Sequence, residues 1–354
     1  MADLRNFAIG AAFRAFEFSR VHRMLRPLTG GIGAILMMHR VCPDPDAAFV
    51  PNKSLAVTPE FLATVIQTLR ANHFVIMDLE SALTLMHQGG GPERFAVLTF
   101  DDGFQDIHDN ALPVLREHSA PFTVYVTPGF VDRDARPWTV DLERLIGTVA
   151  QLRLDLGEER TVFPANTTEE KYRAFSAALT LLRRLRPRDV NRQLDELLRQ
   201  HDIEPAATDC CMPWDDLAVL AADPLCTIGA HSMTHAMLSI LSDQEVRDEL
   251  QQSKQVIEQH LDVVVDHLAF PYGDTEAVGP REVQIASEVG FRSAVTTRPG
   301  MITSRSGTSP TSLPRLSVNG LWQERQYLEV LLTGAPFAVL DGARRVAQMG
   351  RRLS

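Results

Sequence analysis

The chain has 354 residues, 45% of them hydrophobic and 23% charged, with a formal net charge of -10. This balance is that of a packed globular protein and excludes a disordered or fibrous one; the acidic excess argues against nucleic acid as a partner, since phosphate binding needs Lys and Arg gathered on one face. Cys42, Cys210, Cys211 and Cys226 have neither the density of a disulfide scaffold nor a C-x-x-C spacing, so they read as reduced structural thiols.

Residues 1–33 form an amphipathic extension in which Phe7, Ile9, Phe13 and Phe16 alternate with Arg5, Arg14, Arg20, Arg23 and Arg26. Arg14 and Glu17 interrupt the apolar run, so it does not read as a secretory signal, and no stretch reaches the roughly 20 apolar residues of a membrane span. A cytoplasmic location is therefore expected. Basic amphipathic segments lie on anionic membrane surfaces or pack on the rest of the protein or a second subunit. The first reading would place the protein peripherally at the inner membrane face; the sequence sets no oligomeric state.

From residue 34 to 335 short β-rich runs alternate with helical patterns, the signature of parallel strands joined by crossover helices. Strands are predicted at Ala34–Met38, Phe74–Met77, Ala96–Phe100, Phe122–Val126, Thr227–Ala230, His267–Phe270 and Ala294–Thr297, enough to close an α/β barrel. Thr58-Pro59-Glu60 opens a helix over Thr58–Asn72, with a cap residue before a first-turn proline, and Ser242-Asp243-Gln244-Glu245 opens one over Ser242–His260 with a capping box. Residues 138–214, including Glu169–Gln200, read as a mostly helical insertion beside the barrel. A basic tail, residues 336–354, carries Arg344, Arg345, Arg351 and Arg352.

The chemistry sits where predicted strands end. Val97-Leu98-Thr99-Phe100 runs into Asp101-Asp102-Gly103, and two adjacent carboxylates at a strand end are costly without a cation or a shared proton. A second strand ends in His231-Ser232-Met233-Thr234-His235, whose imidazoles at i and i+4 are preferred zinc-type ligands. Two His and one Asp make an open three-ligand site. A third strand ends in Pro271-Tyr272-Gly273, a sharp turn able to aim a backbone N–H at a neighbouring site.

In this order, Thr99-Phe100-Asp101-Asp102-Gly103, His231-Ser232-x-x-His235 and Phe270-Pro271-Tyr272-Gly273 resemble the polysaccharide deacetylases with a NodB-type domain, carbohydrate esterase family four, over roughly Ile35 to Val318. The resemblance implies a distorted (β/α)7 barrel, here with the helical insertion and terminal extensions. It also implies Asp101 as catalytic base and Asp102, His231 and His235 as ligands of one divalent metal. Zinc suits that donor set, as do cobalt, nickel or manganese. Two departures stand out. The Arg that commonly opens the third motif is Ala269, and the late Leu-x-His motif that commonly supplies the general acid is replaced by Leu313-Pro314-Arg315-Leu316.

Ile35-Leu36-Met37-Met38-His39-Arg40-Val41 resembles the opening strand of a subgroup that includes poly-N-acetylglucosamine deacetylases, which nominates His39 as the acid. Arg315 or Arg40 would replace the missing Arg beside Asp101, Trp138 and Asp141 resemble a feature bordering the sugar pocket, and the Tyr272 N–H would stabilise the oxyanion. The implied function is removal of N-acetyl groups from an N-acetylhexosamine-containing polysaccharide or lipid-linked glycan. The alternatives are an O-acetyl esterase or non-sugar amidohydrolase using the same metal site, and a glycan-binding pseudoenzyme.

Overall fold

The computed structural model describes residues 10–340 apart from 12, 17, 45, 46, 157, 158 and 206–209. The described strands, in chain order, are β1 (Gly33–Met38), β2 (Arg40–Val41), β3 (Ala56–Val57), β4 (Phe74–Ile76), β5 (Arg94–Phe100), β6 (Phe122–Val126), β7 (Gln151–Leu156), β8 (Glu159–Pro164), β9 (Cys226–Ala230), β10 (His267–Ala269), β11 (Ser293–Pro299) and β12 (Leu313–Ser317).

Seven parallel strands close a barrel in the order β1-β12-β11-β10-β9-β6-β5, and β5 returns to β1 in an unbroken register from Gly33↔Phe95 to Met38↔Phe100. The strand expected at Phe74 exists but lies outside this ring. As β4 it pairs with the first half of β5, Phe74↔Arg94 to Ile76↔Ala96, while β6 takes the second half from Leu98↔Phe122. The seventh ring member is instead β12, which has no counterpart among the predicted strands. Its Pro314 lacks an N–H for the ladder and breaks the strand signature. The register with β11 accordingly shifts between Val295↔Leu313 and Pro299↔Arg315, the irregular seam of the barrel.

Strand alternation sorts side chains into two cores. Odd-numbered residues, among them Ile35, Phe95, Val97, Tyr125, Ala269, Val295 and Leu313, form one buried cluster inside the barrel. Even-numbered residues such as Leu36, Leu98, Val124, Ile228 and Leu268 join the larger cluster beneath the surrounding helices. The predicted caps are present: the Thr58 side chain accepts from the Phe61 N–H ahead of the helix Pro59–Ala71, and Ser242 and Glu245 form a reciprocal capping box ahead of Asp243–Leu261.

The insertion contains the helices Trp138–Thr148, Thr168–Leu182 and Pro187–Gln200, packed around their own apolar cluster of Leu142, Ile146, Phe175, Leu194 and neighbours. It also contains an antiparallel hairpin, β7 with β8, which the sequence reading did not anticipate. Leu152 and Leu154 are buried while Arg153 and Asp155 face solvent, a period of two too short to stand out in a charge-rich stretch.

At the N-terminus Phe13 is buried against Trp322 and Tyr327, with ring centroids 5.9 and 5.1 Å away, so this part of the extension packs on the body of the protein. Arg5, Phe7, Ile9 and the C-terminal arginines lie outside the described residues. Along the helix Val21–Thr29 and the residues just before it, Phe18, Met24 and Leu28 are 94, 80 and 86% exposed. No helix among the described residues is long and apolar enough to cross a membrane.

Candidate metal centre

The C-terminal ends of the barrel strands converge on one site, as barrel geometry requires. Beyond β5 come Asp101 and Asp102, beyond β9 comes His231, beyond β10 the Pro271-Tyr272-Gly273 turn, beyond β1 His39, and β12 itself supplies Arg315. Backbone bonds pin the first two of these ends: the Asp101 N–H donates to Met38 O at 3.0 Å and the His231 N–H to Val126 O at 2.8 Å.

Asp102, His231 and His235 each offer one ligand atom, all within 4.8 Å of one another. Asp102 Oδ1 is buried without a hydrogen-bond partner, yet His231 Nε2 and His235 Nε2 stand 3.3 and 3.4 Å from it. An ion bonded at about 2.0–2.1 Å to such donors in tetrahedral geometry would separate them by about 3.3–3.4 Å, so the donor set fits a small divalent cation. His231 Nδ1 meets the Ala269 carbonyl at 2.7 Å, which fixes the tautomer with the N–H there and leaves Nε2 to face the centre. The Phe130 ring stacks on His235 at 5.6 Å and the Tyr272 ring meets it edge-on at 4.9 Å, so the second candidate ligand is held between aromatic walls.

Asp101 is 1% exposed and is gripped through both oxygens by Arg315, with Nη1–Oδ1 at 2.7 Å and Nη2–Oδ2 at 2.6 Å. The same guanidinium donates to Thr99 Oγ1 at 3.1 Å and, through Nε, to the Thr296 carbonyl at 3.0 Å. Thr99, Asp101 and Arg315 are all odd-numbered lumen positions, and the short Ala269 lies two strands from β12 in the same ring. Arg40, the other candidate partner, turns instead to Asp106, 2.7 Å away. His39 Nε2 lies 3.9 Å from Asp101 Oδ2 with its side chain 18% exposed.

Burial opposes charge on both aspartates, but Arg315 outweighs it at Asp101 and holds that carboxyl below the ordinary carboxylate range. At Asp102 the burial penalty is overcome by the two imidazoles that face it, His231 first and then His235. Burial pushes His235 down to about 4, leaving a neutral imidazole at pH 7. His231 moves the other way: burial lowers it, but the pull of Asp102 and Asp101 is larger. Donors that favour positive charge in their midst are what a cation site requires.

Of the remaining expected residues, Trp138 is buried at the start of its helix and lies close enough to the Tyr272 phenol to favour its ionised form against the larger effect of burial. Asp141, fully buried, is taken up by Arg136 at 2.9 Å. The Tyr272 phenol is pushed up to about 12 by burial, and its ring lies 4.9 Å under the guanidinium of Arg183 from the insertion. The sequence reading missed Phe130, Thr99 and Arg183. Thr99 had a signal, lying two residues before Asp101 on the same strand face; Phe130 and Arg183 had none.

Backbone strain collects here too. Asp102, Ser232, His235 and Tyr272 all have positive φ, at 73, 59, 57 and 60°, a conformation uncommon for non-glycine residues and concentrated at functional sites. Gly273 follows at 59°, where a Cβ would stand 2.6 Å from Thr297 N. No described acceptor takes the Tyr272 N–H.

The chain is 32% identical over 74 residues, 21% of its length, to a poly-beta-1,6-N-acetyl-D-glucosamine N-deacetylase of Staphylococcus epidermidis, and that match spans 26% of the relative. Its fold is similar to a Streptococcus pyogenes deacetylase, PplD, solved in complex with acetate, with a TM-score of 0.56 at 17% identity over 84% of this chain and 97% of that one. It is similar also to IcaB from Ammonifex degensii, with a TM-score of 0.54 at 17% identity over 86% and 98% of the two chains. Residues 88–294, more than half of the sequence, match the family described as polysaccharide deacetylase, and the chain belongs to that family.

Proposed function

We propose that the protein is a metal-dependent hydrolase that removes N-acetyl groups from an N-acetylhexosamine-containing polysaccharide or lipid-linked glycan. The observation that carries this reading is the pairing of two adjacent carboxylates with different partners: Asp102 Oδ1 facing two imidazole nitrogens at 3.3 and 3.4 Å, and Asp101 held by Arg315. One carboxylate is a ligand and the other is free of the metal donors and kept ionised, which is the division of labour a hydrolytic metal site needs. Similarity to the Staphylococcus epidermidis poly-beta-1,6-N-acetyl-D-glucosamine N-deacetylase supports an N-acetylated hexosamine as the substrate class.

A divalent ion held by Asp102, His231 and His235 would supply Lewis acidity, polarising an acetyl carbonyl and acidifying a water. Asp101 takes the proton from the attacking water, and Arg315 keeps its carboxylate oriented and charged while it waits. The Tyr272 N–H, on a turn held by Trp138 and Arg183, donates to the oxygen on which negative charge develops. His39, beside Asp101 and partly open to solvent, protonates the departing amine. The exposed face of Phe18, Met24 and Leu28, with Arg20 and Arg23 exposed beside it, supports peripheral seating on an anionic membrane surface.

Acetate release from N-acetylated oligosaccharides tests the reading. Release that stops on chelation, returns with zinc, cobalt, nickel or manganese, and falls at least ~10³-fold in Asp101→Asn is the expected result. A chain that binds one metal ion yet releases acetate from no N-acetylated glycan would overturn it.

A further inference from the structure

A cleft of about 550 Å³ opens beside the metal centre, outside the ring of donors. Arg133 and Arg136, on the segment after the short helix Pro128–Val131, line one side of it; Arg188, Arg192 and Arg199 line the other. The last three lie on the helix Pro187–Gln200 at spacings of four and seven, one face of that helix. Its opposite face, Val190, Leu194, Leu197 and Leu198, is buried in the core of the insertion, so the arginines stand on an anchored element.

Three carboxylates, Asp134, Asp195 and Glu196, also line the cleft, and Asp141 and Asp189 pair with its arginines, so that five guanidinium groups are gathered with five carboxylates. Ion pairs orient part of the set: Arg136 with Asp141 and Asp195, Arg192 with Asp189, Arg199 with Glu196. Arg188 joins none of these pairs. The Phe130 ring that stacks on His235 is itself part of the cleft wall, so the cleft is joined to the metal centre through that ring. Guanidinium forks match the geometry of carboxylate and phosphate oxygens, and the exposed pairs of Arg192 and Arg199 are weak enough for an anionic group to displace their carboxylates and join Arg188.

We propose that this cleft is a subsite for an anionic group, a carboxylate or a phosphate, carried by the glycan near the N-acetyl group to be removed. The identity of the carrier rests on the deacetylase reading; anion binding by the cleft does not.

The test is titration calorimetry of the metal-loaded full chain with N-acetylglucosamine 1-phosphate, glucuronic acid and N-acetylglucosamine, repeated on the double variant Arg188→Ala/Arg192→Ala. Both side chains are exposed, so the variant is expected to fold. At least one anionic probe should bind tenfold or more tightly than the neutral sugar, with the advantage shrinking at high salt and vanishing in the double variant. Whichever anionic probe is favoured identifies the group. Equal binding of anionic and neutral probes overturns the proposal, as does an anion advantage that survives the double substitution, because the anion would then sit on the metal. Arginine-dependent anion binding in a chain that releases no acetate would support the subsite and remove the deacetylase reading; acetate release without any anion preference would do the reverse.

Discussion

Asp101 and Arg315 show how one residue's environment sets another's chemistry. Both are buried, so the carboxylate is tolerable only because two charge-assisted hydrogen bonds satisfy it. Truncating Arg315→Ala leaves a buried charge uncompensated and should cost about 3–5 kcal/mol of stability, read by denaturant unfolding, with activity falling by at least ~10²-fold. The pH dependence follows from the same pair. With its folded pKa depressed, Asp101 contributes stability that is fully present above the ordinary carboxylate pKa of about 3.9 and is lost as pH falls through the depressed folded value. In the wild type Asp101, the proposed base, therefore stays ionised throughout the mildly acidic range. In Arg315→Ala burial becomes the leading influence and raises the carboxyl, so the acid limb of kcat/KM against pH should move to higher pH. An unchanged acid limb would mean that Asp101 is not the base. His39 and Asp101 were nominated from sequence motifs, and Arg315 and Arg40 as alternatives for the missing Arg; the choice of Arg315 could not be read there, because it depends on which strands share a lumen.

At the scale of elements, the turn after β10 is the most constrained piece of the site. Tyr272 and Gly273 are consecutive left-handed residues, and the approach of Gly273 to the Thr297 backbone leaves no room for a side chain. Gly273→Ala should lose about 1–2 kcal/mol from the backbone conformation alone, and more from the displaced strand contact. Because the shift moves the Tyr272 N–H, kcat should fall with KM nearly unchanged; steady-state kinetics on the folded fraction separates the two effects. The helix Val21–Thr29 makes a different prediction. Its exposed Met24 and Leu28, with Phe18 just before it and Arg20 and Arg23 alongside, should carry the protein up with vesicles containing phosphatidylglycerol in a flotation assay but not with neutral vesicles. A Phe18→Ser/Met24→Ser/Leu28→Ser variant should remain at the bottom, and wild-type protein that fails to float would remove the membrane reading.

For the molecule as a whole, the site exists only because seven strands close. Asp102 and His235 belong to segments more than a hundred residues apart, and folding brings their donor atoms to 3.4 Å. A cation held there stabilises the folded chain by mass action, by about 2.7 kcal/mol at a hundredfold excess over Kd. Thermal unfolding should therefore shift upward by several degrees on adding zinc to chelated protein, and the shift should disappear in His231→Ala. The insertion contributes at this scale as well: Trp138 and Arg183 reach Tyr272 from outside the barrel, so a segment that looked like an appendage forms part of the wall of the centre.

Several features were determined by the amino-acid sequence alone. Strand ends running into Asp101-Asp102 and into His231-x-x-x-His235 mark the residues that the fold gathers into a candidate metal site, because few other arrangements make adjacent carboxylates and paired imidazoles tolerable at buried positions. Local cap chemistry at Thr58 and Ser242 places two helices, since a cap bonds within its own turn. Tertiary structure alone decided the rest. Membership of the ring passed to β12 and away from β4 because closure is settled by register around the whole barrel, and Pro314 hides the strand from any local pattern. The choice of Arg315 over Arg40 as the partner of Asp101, the stacking of Phe130 on His235 and the reach of Arg183 over Tyr272 join residues distant in sequence, and no period or spacing along one strand records which side chains face each other across a closed lumen.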